Sequence, residues 1–130
     1  MLLNSEQILK EEIIIPSEFS NITQVGIDLS VRKIERIDGG GIILKNKTLI
    51  NPTYYIDLPI EEQNVTFNDE KLNFRGWFLL PGEYVVHFNE KIKLPLDRTG
   101  IVVHRSSLYR QGGYINSPLW DPLYQSGENT

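Results

Sequence analysis

Apolar and polar positions alternate with a period of two along much of this chain, the spacing of half-buried strands rather than of helices. Val25-Gly26-Ile27-Asp28-Leu29-Ser30-Val31 predicts one strand, and Arg32 to Ile37 continues the pattern through Ile34 and Ile37. Gly39-Gly40-Gly41 marks a turn, Ile42-Ile43-Leu44 reads as a further strand, and Asn46-Lys47 suits a tight reversal. Pro52 and Pro59 interrupt residues 51–75, so Tyr54-Tyr55-Ile56 and Val65-Thr66-Phe67 read as edge strands among surface loops. The signal sharpens at Trp77-Phe78-Leu79-Leu80, which runs into a Pro81-Gly82 turn. Glu83 to Phe88 and Gly100 to His104 then follow as strands. Helical spacing is confined to the start, where Ser5 suits an N-cap before Ile8 and Leu9, and Ile13-Ile14-Ile15 extends until Pro16 stops it.

Composition points the same way. The chain has no alanine but sixteen isoleucines and seven valines, a bias toward side chains that stiffen the backbone and fit a pleated surface. Short strands joined by Gly, Pro and Asn turns, without alternating helices, imply an all-β sandwich or barrel of the jelly-roll kind. A length of 130 residues fits one domain spanning 1–130 that buries roughly two-thirds of its unfolded surface. The absence of cysteine excludes disulfides, thiolate metal sites and cysteine nucleophiles. With His87 and His104 the only histidines, zinc-dependent deamination of the His/Cys type is excluded as well. No apolar run reaches the roughly 20 residues of a membrane span, and Met1-Leu2-Leu3-Asn4-Ser5-Glu6 lacks the start of a signal peptide. A cytoplasmic protein with no membrane partner is expected.

A net charge of −4 argues against a general nucleic-acid binder. Locally the sign reverses: from Arg98 to Trp120 there is no Asp or Glu, while Arg98, Arg105 and Arg110 are present with His104 beside them. In Arg105-Ser106-Ser107-Leu108-Tyr109-Arg110-Gln111-Gly112-Gly113, guanidinium forks, serine hydroxyls and main-chain amides are the donors that cradle a phosphate. An ordinary capped helical turn with solvated arginines has the same residues. Asp121-Pro122 is by itself a turn signal. At the end of an acid-free basic stretch, Asp121 could also orient a water beside a bound phosphate and accept its proton.

Taken together, Gly26-Ile27-Asp28-Leu29-Ser30, Arg105-Ser106-Ser107-Leu108 and Trp120-Asp121-Pro122-Leu123-Tyr124 resemble, in order and spacing, three motifs of the dUTPase/dCTP deaminase superfamily. Leu80-Pro81-Gly82-Glu83-Tyr84 and Leu94-Pro95-Leu96-Asp97 extend the similarity from about residue 22 to the end. The resemblance implies a distorted jelly roll, a β-clip type barrel with at most one or two short helices, assembled as a homotrimer with shared active sites. It implies hydrolysis of dUTP to dUMP and pyrophosphate, with Asp121 directing water at the α-phosphorus. Arg105, Ser106, Ser107 and Arg110 would contact phosphates, and Tyr124 would pack on the deoxyribose, unless it is simply a core or interface tyrosine. Ile115 and Asn116 would belong to a base-reading hairpin. Asp28 would organise the surroundings of a Mg²⁺ held mainly by substrate phosphates, with no metal coordinated directly by the protein.

The resemblance is strongest to an archaeal-type dUTPase subgroup that shares features with deaminases. Deamination of dCTP, alone or with hydrolysis, is the alternative, and a non-catalytic trimeric nucleotide-binding relative is the third. The deaminase glutamate would fall beyond Thr130, and Glu128 comes early for it. The C-terminal strands and glycine-rich arm of dUTPases are likewise not among these residues, so a domain lacking them is the expectation. Leu123 stands where the family often has glycine, and leucine resists positive φ, which leaves the turn presenting Tyr124 outside what the resemblance implies.

Overall fold

The computed structural model describes residues 2–46, 54–115 and 119–127. Among them are two short helices, α1 (Ser5–Lys10) and α2 (Ser106–Arg110). The strands are β1 (Ile14–Ile15), β2 (Asn21–Ile22), β3 (Ile27–Asp28), β4 (Val31–Asp38), β5 (Tyr54–Asp57), β6 (Glu61–Phe67), β7 (Glu70–Gly76), β8 (Tyr84–Phe88), β9 (Lys91–Lys93) and β10 (Gln125–Ser126). The protein is all-β and jelly-roll-like: the strands are short, β1–β9, β9–β10, β2–β3, β4–β5 and β6–β7 pair antiparallel, and neighbours in a sheet are often remote in sequence. The described strands form several small sheets and do not close into a hydrogen-bonded barrel.

The chain divides into two compact units, residues 1–30 with 88–130, and residues 31–87. In the first, β9 is the middle strand of a β1-β9-β10 sheet. Ile14 and Ser126 flank Ile92, which is almost completely buried, and Ile13 and Leu94 complete the small core. Helix α1 begins with a capping box, in which Asn4 accepts from the Gln7 amide and the Gln7 side chain accepts from the Asn4 amide. The cap is thus Asn4 and not Ser5, which lies buried inside the first turn. Strands β2 and β3 form a hairpin whose tip is tied by Thr23: its amide and hydroxyl both donate to the Gly26 carbonyl.

The second unit holds the sheet β5-β4-β8, with Ile34 of β4 as its buried residue, and the hairpin β6–β7. That hairpin reverses at Asn68 and Asp69, both with positive φ (50° and 63°), the pattern of a two-residue turn that matches strand twist. Residues 61–76, expected as loops and edge strands, therefore form the longest ladder among the described residues.

Two expected strands are not formed. Ile42–Leu44 contributes a single bridge residue, and Lys47 of the expected reversal lies outside the described residues. At 100–104 the one β-bridge among the described residues joins Gly100 to Trp120, and residues 101–104 form no strand with them. Alternation supplies a side-chain pattern suited to a sheet but no neighbour to bond with. No helix among the described residues is long and apolar enough to cross a membrane.

Candidate active site

The residues singled out above all fall in the first unit, on three segments. Asp28 ends β3, the short strand paired with β2 through Asn21↔Asp28 and Ile22↔Ile27. Arg105 immediately precedes α2, and its carbonyl accepts from the Leu108 amide at 3.1 Å to begin the helical turn. Ser106, Ser107 and Arg110 lie on that turn with exposed side chains. The helix stops where the Leu108 carbonyl accepts from the amides of Gln111 and Gly113 (3.1 and 3.0 Å), with Gly112 in the left-handed region at φ +84°. A Cβ at Gly113 would stand 2.9 Å from Leu108 Cδ1, so that side chain would have to shift to admit one. Ile115 follows half-buried, and Asn116 lies outside the described residues.

The third segment is a tight turn. The Tyr124 amide donates to the Asp121 carbonyl at 3.1 Å, with Pro122 in the second position and Leu123 in the third at φ +68°. Proline followed by a left-handed residue is the type II pattern. Leucine thus accepts the conformation that glycine would supply without strain, and the turn forms in spite of it. Trp120 is fixed by paired hydrogen bonds with Gly100 (3.0 and 2.7 Å), and its ring stacks on Tyr124 with centroids 5.1 Å apart. Tyr124 is therefore half of a stacked pair whose carbonyl also accepts from the Leu94 amide at 2.9 Å. The Asp121 carboxylate is exposed at the start of the turn.

Two of the three segments meet directly. Arg105 Nη1 donates to Asp28 Oδ2 at 2.7 Å, across 77 positions of sequence. Asn21 Nδ2 donates to the same oxygen at 3.2 Å. No hydrogen bond or ion pair joins Asp121 to Arg105 among the described residues. The second oxygen of Asp28 has no hydrogen bond among those residues, and no group of three or more His, Asp or Glu side chains suited to hold a metal occurs among them. One available carboxylate oxygen suits Mg²⁺, which keeps most of its waters and draws its other ligands from phosphates.

A further group was not apparent in the sequence. The Glu90 side chain is 1% exposed, yet it is fully partnered. Its Oε2 accepts from the hydroxyls of Ser17 (2.6 Å), Ser20 (2.6 Å) and Ser30 (2.8 Å), and its Oε1 accepts from the Ser30 amide (2.7 Å). Burial pushes the carboxyl pKa up, but these bonds to its charged form outweigh that and hold it below its ordinary value. Glu90 follows Asn89 in what the sequence presents as a polar corner between β8 and β9. Its partners are 60 to 73 residues away. The one local hint was Ser30, two positions beyond Asp28.

The family described as dCTP deaminase-like matches residues 3–129, and the chain belongs to that family. It is 35% identical over 108 residues to the deoxyuridine 5'-triphosphate nucleotidohydrolase of Methanocaldococcus jannaschii, covering 83% of this chain and 63% of that protein. A probable deoxyuridine 5'-triphosphate nucleotidohydrolase of Aeropyrum pernix is 30% identical over 105 residues, 79% of this chain and 56% of its own length. One from Methanosarcina barkeri is 29% identical over 134 residues, 95% of this chain and 70% of its own length. The chain thus spans less than two-thirds of the length of the first two. No solved structure matches it.

Proposed function

We propose that this protein hydrolyses dUTP to dUMP and pyrophosphate in the cytoplasm, as a homotrimer with shared active sites. The observation that carries the reading is the Arg105–Asp28 contact, which sets a guanidinium and a carboxylate side by side next to a helical turn bearing Ser106, Ser107 and Arg110. The names of the archaeal relatives, deoxyuridine 5'-triphosphate nucleotidohydrolases, support dUTP as the substrate.

In this reading the guanidiniums of Arg105 and Arg110 and the hydroxyls of Ser106 and Ser107 bind and orient the triphosphate. Asp121, exposed at the start of its turn, holds the attacking water and accepts its proton as the oxygen bonds to the α-phosphorus. The bond to the leaving pyrophosphate breaks in the same displacement. Asp28 would help hold a Mg²⁺ through its available carboxylate oxygen. The chemistry such an ion would supply there is neutralisation of the charge on the leaving pyrophosphate. Tyr124, braced by Trp120, packs on the deoxyribose, and the 113–116 segment reads uracil. The trimer is supported by residues 101–104: Ile101 and Val103 are 66% and 76% exposed in a segment that forms no strand with the described residues.

Deamination of dCTP is the second reading, favoured by the description of the matching family. Incubating the protein with dUTP, dCTP and Mg²⁺ and resolving the products distinguishes the two. dUMP with pyrophosphate supports hydrolysis, ammonia supports deamination, and bound but unchanged nucleotide means a non-catalytic relative. Asp121→Asn should slow hydrolysis by about 100-fold or more while dUTP binding survives. Equal activity in that variant refutes the role of Asp121.

A further inference from the structure

We propose that Glu90 is a positioning residue for the phosphate site: it fixes the base of the β2–β3 hairpin so that Asp28 meets Arg105. The inference rests on the phosphate-site reading above. The two legs of the hairpin end on the same buried carboxylate. Ser20 directly precedes Asn21 of β2, Ser30 lies two residues after Asp28 of β3, and both hydroxyls donate to Glu90 Oε2. Directly above that anchor, Asn21 and Asp28 face each other and share the bond that orients Asp28 Oδ2 toward Arg105. Strands of two residues have little stiffness of their own, so an outside anchor sets where the aspartate stands.

The cluster is built around an acceptor at each carboxylate oxygen. Each serine hydroxyl has one proton and directs it at Oε2, while its oxygen is already an acceptor: Ser17 from the Phe19 amide (3.2 Å), Ser20 from the Ser17 amide (2.9 Å), Ser30 from Asn89 Nδ2 (3.0 Å). A glutamine in this place would set an amide N–H₂ against three hydroxyl protons, which must turn away to offer their remaining lone pairs, or flip and present it to the Ser30 amide. Either way the hairpin base loosens, although no atom at Asp28 or Arg105 has changed.

The test uses inorganic triphosphate with Mg²⁺ as the probe, titrated calorimetrically, alongside thermal unfolding. Glu90→Gln should weaken triphosphate binding by about tenfold, the usual range for losing a group that orients a site residue. In an Asp28→Asn background the same substitution should cause no further loss of binding, while its lowering of the unfolding temperature persists in both backgrounds. A purely structural glutamate would lower binding by the same factor with or without the Asp28 carboxylate, and that result overturns the proposal. Should Glu90→Gln fail to fold, Ser20→Ala removes one leg of the anchor and must show the same dependence on Asp28. If Asp28→Asn weakens binding and neither anchor variant does, the proposal alone falls. If Asp28→Asn leaves binding unchanged, the role of Asp28 in the phosphate site falls with it.

Discussion

Replacing Leu123 by glycine should leave the protein more stable than replacing it by alanine, the reverse of the order at most positions. Leu123 sits at φ +68° in the third place of the Asp121–Tyr124 turn and is 62% exposed. A side chain in the left-handed region costs about 1–2 kcal/mol, which alanine retains and glycine relieves. Glycine returns about 0.4–1 kcal/mol of that through the greater freedom it gives the unfolded chain. The partial burial lost with the leucine side chain, under about 1 kcal/mol, is common to both variants. Taking the middle of each range, the glycine variant should therefore exceed the alanine variant by about 0.8 kcal/mol, or roughly half a molar in the urea midpoint. Equilibrium urea unfolding of the two proteins at one pH measures it. An alanine variant as stable as the glycine variant would refute the claim that the turn is strained at this residue.

Arg105→Ala should weaken binding of the triphosphate far more than binding of the nucleoside, and equal losses in parallel titrations would count against phosphate contact. Gly100→Ala would place a Cβ 3.1 Å from Trp120 Cε3 and 3.5 Å from Leu94 Cδ1. Because Trp120 is held by two bonds to Gly100 and by its stack on Tyr124, the crowding should cost about 1–3 kcal/mol in urea unfolding. The depressed pKa of Glu90 stabilises the fold above the unfolded-state value of 4.5, and this contribution is lost as pH falls through the lower folded value. The stability gap between wild type and Glu90→Gln should thus be full at pH 7 and narrow below about pH 4. A gap independent of pH would show that the carboxylate's charge is not what the serines stabilise.

Residue type alone made much of this protein legible. A chain without alanine and rich in isoleucine favours strands, and β4 and β8 formed close to where alternation placed them. Arg105-Ser106-Ser107 began a helical turn, and Asp121-Pro122 began a tight one, because caps and turns are decided within a few residues. Hydrogen-bond partnership is not decided so locally. Val103 alternates as well as Val85 does, yet only the strand containing Val85 has a neighbouring strand to bond. Leu123 entered a conformation that its side chain disfavours, held there by the closure of the turn and the Trp120–Tyr124 stack.

The site divides along the same line. The sequence by itself determined which groups were available: two arginines, two serines, an aspartate in a short strand and another in a turn, in a region free of competing acids. Only the tertiary structure decided that Asp28 meets Arg105 and that an unremarked glutamate gathers three serines from two distant segments. The reason is physical. Propensity and periodicity act over a few residues of backbone, whereas a buried charge is tolerated only where enough donors converge in space, a condition that no local pattern encodes.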